Sequence, residues 1–79
     1  MKEDTFNLKP KDEFIELNKL LKLMGIAQTG GHAKLMIDEG SVKVNGEIEL
    51  RKRKKLRQGD KIECEGYRIE IKGTDERER

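Results

Sequence analysis

The second half of the sequence alternates apolar and polar residues in short runs that are separated by turn residues. Residues 41–50 alternate on both sides of Asn45-Gly46, a dipeptide that favours a two-residue hairpin turn. Residues 61–72 alternate again, and Gly66 interrupts the run. Alternation with a period of two is typical of strands that bury one face. The pattern therefore predicts a small antiparallel sheet that is rich in hairpins.

The first half of the sequence predicts a short strand and two short helices. Residues 5–8 alternate as a strand would, and Pro10 suits the start of a helix that Gly25 ends in a left-handed conformation. Thr29 is the predicted N-cap of a second helix that runs to about Glu39. The apolar residues at helical spacing are Phe14, Leu17, Leu20, Leu21 and Met24, followed by Ala33, Met36 and Ile37. The predicted fold class is α+β, with two short helices packed on the sheet.

A chain of 79 residues has room for one domain with one small core. We predict that this domain spans residues 1–73 and that residues 74–79, which contain no apolar side chain, form a disordered charged tail. The single cysteine, Cys64, excludes an internal disulfide and any zinc site built from cysteines, and we expect it to be buried. No apolar run is long enough for a signal peptide or a membrane span, so we expect a cytoplasmic protein.

Catalytic side chains are scarce and scattered along the sequence. The chain has one histidine, one cysteine and one tyrosine in different predicted elements, and it has no glycine loop of the nucleotide-binding kind. We therefore expect no enzyme activity, no cofactor, no metal and no small-molecule substrate. His32, in the first turn of the second helix, is predicted to be a surface residue.

Six of the seven residues from 51 to 57 are basic and none is acidic, although the net charge of the chain is only +2. We call residues 51–57 the basic strip, and its charged members are Arg51, Lys52, Arg53, Lys54, Lys55 and Arg57. A few lysines on an edge strand are enough to prevent aggregation between sheet edges. Six cations exceed that need, and they favour a polyanion whose phosphates they neutralise.

The residues that open the second helix form another candidate anion site. The first turn of a helix leaves backbone N–H groups without partners and carries a partial positive charge. Gly30 and Gly31 follow Thr29 there, and without side chains they let a phosphate approach the backbone. Lys34 lies one turn further along. The alternative is a flexible connector in which the glycines only allow the turn.

Five segments between residues 14 and 65 together match one known pattern. They are Leu17-Asn18-Lys19-Leu20-Leu21, Gly25-Ile26, Ala33-Lys34-Leu35-Met36-Ile37, Gly40-Ser41-Val42-Lys43-Val44-Asn45-Gly46 and Gln58-Gly59-Asp60. This pattern resembles the small RNA-binding domain named after the fourth protein of the small ribosomal subunit, the S4-type domain. The resemblance implies an αL motif, in which two helices and a hairpin grip structured RNA. The chain looks most like the free-standing bacterial members of that family, which have no catalytic domain attached.

Two positions depart from the family pattern. Glu16 stands where the family usually has an arginine before the first helix, and Gly30 stands where it commonly has an arginine in the second. We infer that positive charge has moved from the helices to the basic strip. The residues predicted to bind RNA are Lys19, Thr29, Gly30, Gly31, Lys34, Lys43, Arg51, Lys52, Arg53, Lys54, Lys55 and Arg57.

The predicted partner is structured RNA, either ribosomal or transfer RNA, bound by a monomer through phosphate contacts and shape. One tyrosine and two phenylalanines are too few for a base-stacking platform of the kind that binds single strands. Folded RNA, read through its backbone and 2′-hydroxyl groups, fits better. The alternative from another class is an adaptor that docks an acidic protein through the same basic strip. DNA binding ranks below both, since no recognition helix with base-reading residues is evident.

Overall fold

A computed structural model describes residues 2–9 and 11–73 of the chain. The described residues form two helices and seven strands. In chain order they are β1 (Lys2–Leu8), β2 (Ile15–Glu16), α1 (Leu17–Leu23), α2 (Gly30–Asp38), β3 (Val42–Val44), β4 (Glu47–Ile48), β5 (Lys55–Leu56), β6 (Lys61–Cys64) and β7 (Tyr67–Gly73). The predicted disordered tail, residues 74–79, lies outside the described residues.

Five strands form one sheet in the order β1-β7-β6-β3-β4, and β2 pairs with β5 in a separate two-stranded sheet. The predicted α+β class, with two helices packed on a sheet, is confirmed. The sheet is mixed rather than wholly antiparallel, because β1 lies parallel to β7 while the other neighbours are antiparallel. Both helices and the hairpins separate β1 from β7 in the chain, and such a long connection permits a parallel pair.

Two tight turns build the hairpins of the main sheet. Asn45 and Gly46 both have positive φ angles, 54° and 88°, between β3 and β4. Glu65 and Gly66 repeat this arrangement, with φ angles of 49° and 83°, between β6 and β7. Two successive residues in the left-handed region are what a type I′ hairpin turn requires. The hairpin predicted from Asn45-Gly46 is therefore confirmed.

The start of α1 differs from the sequence prediction, whereas its end agrees with it. The helix begins at Leu17 rather than near Pro10, because Ile15 is buried as part of β2, opposite Leu56. Phe14 consequently lies outside the helix and is only half-buried. At the other end Gly25 has a φ of 78°, and its N–H donates to the carbonyl of Lys22 at 3.1 Å. This geometry is a left-handed glycine cap, as predicted.

One core lies between the helices and the main sheet. Its largest fully buried side chains are Leu17, Leu20, Leu21, Ile37, Val42, Leu56, Ile62, Ile69 and Ile71. The predicted buried face of α2 is confirmed, since Ala33, Met36 and Ile37 are all buried.

Cys64 is buried as well, and desolvation together with the nearby charge of Glu65 raises the pKa of its thiol to about 11. No helix in the described part of the chain has the length and hydropathy to cross a membrane.

Ile37→Asp should unfold the domain. The side chain is 0% exposed, and an unpaired carboxylate would enter the core of a protein that has only about 3–5 kcal/mol of stability. Leu35→Asp is the matched control, because Leu35 lies on the same helix and is 55% exposed. Circular dichroism and thermal melting should show a folded control and an unfolded Ile37→Asp protein. A cooperative melt of Ile37→Asp would contradict the assignment of this core.

Candidate nucleic-acid interface

The basic strip is bound through its backbone to the start of α1. The N-cap residue of α1, Glu16, makes no side-chain hydrogen bond to the first turn. Instead, the N–H of Leu17 donates to the carbonyl of Lys54 at 2.9 Å, and the N–H of Asn18 donates to the carbonyl of Lys52 at 3.0 Å. The strip therefore satisfies two of the N–H groups that every helix start leaves without a helical partner.

Two further contacts hold the shape of the strip. Its first part is a turn in which the N–H of Lys54 donates to the carbonyl of Arg51 at 3.1 Å. Its second part is β5, where Leu56 is 0% exposed and pairs with Ile15 of β2. The strip is thus a turn followed by a two-residue strand, with one apolar anchor in the core. Its backbone is held in place while its charged side chains remain accessible to solvent.

Asp60 joins the end of the basic strip to the β3–β4 hairpin. Its carboxylate accepts from the backbone N–H of Arg57 at 2.8 Å and from the Nδ2 of Asn45 at 3.1 Å. The Oδ1 of Asn45 in turn accepts from the N–H of Lys61 at 2.9 Å. The sequence predicted turns at both positions, but it held no signal for this contact because the two residues are 15 apart.

Five cations of the strip line one shallow concavity of about 550 Å3, and they are Arg51, Arg53, Lys54, Lys55 and Arg57. No acidic side chain of the described residues lines it. Arg51 also contacts Glu49, with 2.9 Å between Nε and Oε2. This hydrogen bond from Arg51 outweighs the opposing effect of desolvation and lowers the pKa of the Glu49 carboxyl. The other four lining cations have no ion-pair partner among residues 2–9 and 11–73.

Two of these cations lie over an aromatic ring. The Nζ of Lys55 is 4.9 Å from the centre of the Phe14 ring, and the Cζ of Arg57 is 5.7 Å from it. Both distances are within the range of a cation–π interaction. Phe14 therefore helps to orient the strip's side chains, a role that it has only because it lies outside α1.

The start of α2 has the predicted N-cap. The Oγ1 of Thr29 accepts from the N–H of His32 at 3.0 Å, and the Nδ1 of His32 accepts from the N–H of Gln28 at 3.2 Å. His32 is exposed, as predicted, and it also stabilises the helix start. Gly30 and Gly31 have no positive φ angle, and a Cβ built on Gly30 would meet no atom within 4 Å. The backbone therefore does not require glycine there, and the helix start is open to solvent.

The remaining predicted residues are not grouped with the strip. Lys34 forms an ion pair with Asp38 at 2.9 Å, one turn along α2. Lys19 is exposed on α1, where it lines a groove that also contains Phe14. Lys43 lies opposite Glu63 on the outer face of the main sheet. The structure thus brings five of the six strip cations into one concavity, which Lys52 does not line, and it places Lys43 opposite Glu63.

One part of the outer face of the main sheet differs in charge from the strip. A concavity there is lined by the carboxylates of Glu3, Asp4, Glu63 and Glu70, and by the cations Lys61 and Arg68. The lining of this concavity holds four carboxylates and two cations, so this concavity attracts a polyanion less than the strip does. The described residues contain no group of histidine, cysteine and acidic side chains that could hold a metal ion.

These features define a small α+β domain with a basic strip fixed against a helix start. The chain belongs to the S4 domain family, whose sequence model matches residues 8–72. The resemblance identified from the sequence is therefore confirmed.

The chain is similar to two curated bacterial proteins along most of their lengths. YbcJ of Escherichia coli K12, named as a candidate RNA-binding protein, is 42% identical over 67 residues, which cover 85% of this chain and 94% of YbcJ. RlbA of Bacillus subtilis 168, named as a candidate ribosome maturation protein, is 44% identical over 55 residues, which cover 70% of this chain and 78% of RlbA.

The fold is also similar to a solved structure. The solution structure of YbcJ from E. coli, described as revealing an αL motif involved in RNA binding, superposes with a TM-score of 0.66 at 41% identity. The match covers 86% of this chain and 85% of that structure.

Asp60→Ala should lower the free energy of unfolding by about 1–2 kcal/mol, because it removes a charged acceptor from two hydrogen bonds. Asp38→Ala is the matched control, since it removes one exposed ion pair and should cost less than about 0.5 kcal/mol. Urea denaturation measures both values. Equal losses in the two variants would show that Asp60 does not hold the end of the strip.

Proposed function

We propose that this protein is a non-catalytic RNA-binding protein that holds structured RNA, either ribosomal or transfer RNA, through its basic strip. The observation that carries the proposal is the concavity lined by five cations, on a backbone fixed to α1. Membership of the S4 domain family and the similarity to YbcJ and RlbA support RNA as the ligand. We further propose that the protein acts as a monomer in the cytoplasm, where both classes of RNA are found.

A fixed strip suits folded RNA better than a flexible polyanion. Lysine and arginine side chains reach phosphate oxygens as donors and release the counterions condensed on the nucleic acid. Because the backbone from Arg51 to Leu56 is held by α1 and β2, the side chains are presented at fixed spacing. The concavity on the outer face of the sheet, with four carboxylates and two cations, is less suited to phosphates than the strip. RNA with a defined arrangement of phosphates therefore gains most from this surface.

The start of α2 is the second proposed contact. The N–H of His32 already donates to Thr29, but Gly30 and Gly31 place no side chain over their own N–H groups, from which a phosphate oxygen can accept hydrogen bonds. Lys34 contributes less, because binding must compete with its ion pair to Asp38. We propose only a peripheral role for Lys19 and Lys43, since both lie outside the strip, on α1 and on the outer face of the sheet.

RNA binding should depend strongly on salt. If the strip and the start of α2 neutralise about five or six phosphates, affinity should fall with a log–log slope of about −4 to −5. Fluorescence anisotropy with labelled transfer RNA and a ribosomal RNA hairpin, between low and physiological salt, measures this slope. A flat titration would contradict binding through phosphate contacts.

Changing Lys52, Arg53 and Lys55 together to Gln should weaken RNA binding most among the variants compared. The expected loss is about 1 kcal/mol for each phosphate contact removed, and the salt slope should flatten by nearly one for each. The substitutions remove the three positive charges, but the backbone carbonyl at position 52 can still accept the hydrogen bond from the N–H of Asn18 in α1. The matched control changes Lys2, Lys61 and Lys72 to Gln, which removes the same charge elsewhere on the exposed surface. Equal losses of RNA-binding affinity in the two triple variants would show that only the net charge matters and that the position of the strip does not.

Single changes separate the strip from the start of α2. Lys34→Gln should weaken binding less than the strip variant does. Gly30→Asp should leave stability unchanged, since the added side chain meets open space, while its carboxylate repels an incoming phosphate. If Gly30→Asp abolishes binding and the strip variant does not reduce it, the strip is only a solvated surface.

A further inference from the structure

Both phenylalanines of the chain line one groove between the end of β1 and the start of α1. Phe6 and Phe14 share this groove with Leu8, Ile15 and Leu23, and its volume is about 680 Å3. Leu23 is 59% exposed, and Phe6 is only partly buried against the core. Five apolar and five polar residues line the groove, and its accessible apolar surface comes from Phe6, Phe14 and Leu23, because Leu8 and Ile15 are buried. A concave surface of this size with apolar and polar groups has the character of a ligand site.

Phe14 joins this groove to the basic strip. Its ring lines the groove and also lies 4.9 Å from the Nζ of Lys55 and 5.7 Å from the Cζ of Arg57. Arg57 lines a neighbouring concavity together with Leu8 and Asp12, which line the groove as well. A phosphate bound to Lys55 or Arg57 therefore lies beside the groove, and the base of the same nucleotide can extend into the groove.

The polar rim of the groove matches a nucleotide. Lys9 and Lys19 supply positive charge, whereas Asp12 and Glu16 supply carboxylate acceptors. Phosphate groups pair with the cations, and every unpaired base presents at least one N–H donor on its edge for a carboxylate. The flat face of a base packs on aromatic and apolar side chains. A negatively charged protein segment would match the cations of the rim but not its carboxylates.

We infer that the groove receives one unpaired nucleobase of the RNA whose phosphates the basic strip holds. The inference rests on the proposed function and adds to it a selectivity for RNA that contains unpaired bases. A fully paired helix keeps its bases stacked inside, whereas bulges and loops expose bases that can be splayed out. The protein therefore distinguishes a duplex with a bulge from a continuous duplex, although both offer phosphates to the strip.

The test compares two blunt-ended RNA duplexes, each annealed from two separate strands and matched to within one phosphate, one of them continuous and the other with a single bulged adenine in its centre. We expect the protein to bind the bulged RNA about tenfold more tightly, as one base packed on an aromatic side chain provides. Phe14→Leu should remove most of this preference while keeping an apolar side chain. Leu23→Glu should remove it as well, because a carboxylate then enters the apolar groove.

Leu35→Glu is the matched control for Leu23→Glu, since Leu35 is 55% exposed and lies on the other helix. It should keep the preference for the bulged RNA. Equal, salt-dependent binding of both RNAs by the unaltered protein would overturn the groove inference and leave the proposed function standing. A preference that survives Phe14→Leu and Leu23→Glu would also overturn it. If the unaltered protein binds neither RNA, the proposed function itself fails.

Discussion

The contact on which the binding surface depends is the docking of the basic strip onto the start of α1. Two backbone carbonyls, those of Lys52 and Lys54, accept from the first N–H groups of the helix. The helix lacks a side-chain cap, so the strip supplies acceptors for two N–H groups of its first turn. Leu56 adds an apolar anchor that is 0% exposed. A segment of mutually repelling cations is thereby held in one shape, which a free tail of the same composition would not have.

Positive charge is distributed unevenly over the surface of the molecule. The net charge is only +2, yet five cations line one concavity while four carboxylates line another on the outer face of the sheet. The electrostatic field near each surface is set by the nearby charges, because solvent ions largely screen exposed charges that lie more than about 8–10 Å away. The positive field is therefore concentrated at the strip, whereas the concavity on the sheet also contains two cations, Lys61 and Arg68.

The late start of α1 connects the strip to the neighbouring groove. A helix that began near Pro10 would have included Phe14 in its apolar stripe. Because Ile15 instead pairs with Leu56 as part of β2, Phe14 falls outside the helix and meets Lys55 and Arg57. The same ring then lines the groove that holds Phe6. The late helix start thus places an aromatic side chain between the cations of the strip and the neighbouring groove.

The sequence by itself determined the hairpin at Asn45-Gly46, the N-cap at Thr29, the buried face of α2 and the concentration of charge in residues 51–57. These features depend on residues close together in the chain, through side-chain period and turn chemistry. Only the tertiary structure decided the start of α1, the parallel pairing of β1, the hydrogen bond between Asp60 and Asn45, and the presence of both phenylalanines in one groove. Each of these depends on contacts between residues far apart in the chain, for which local patterns carry no signal.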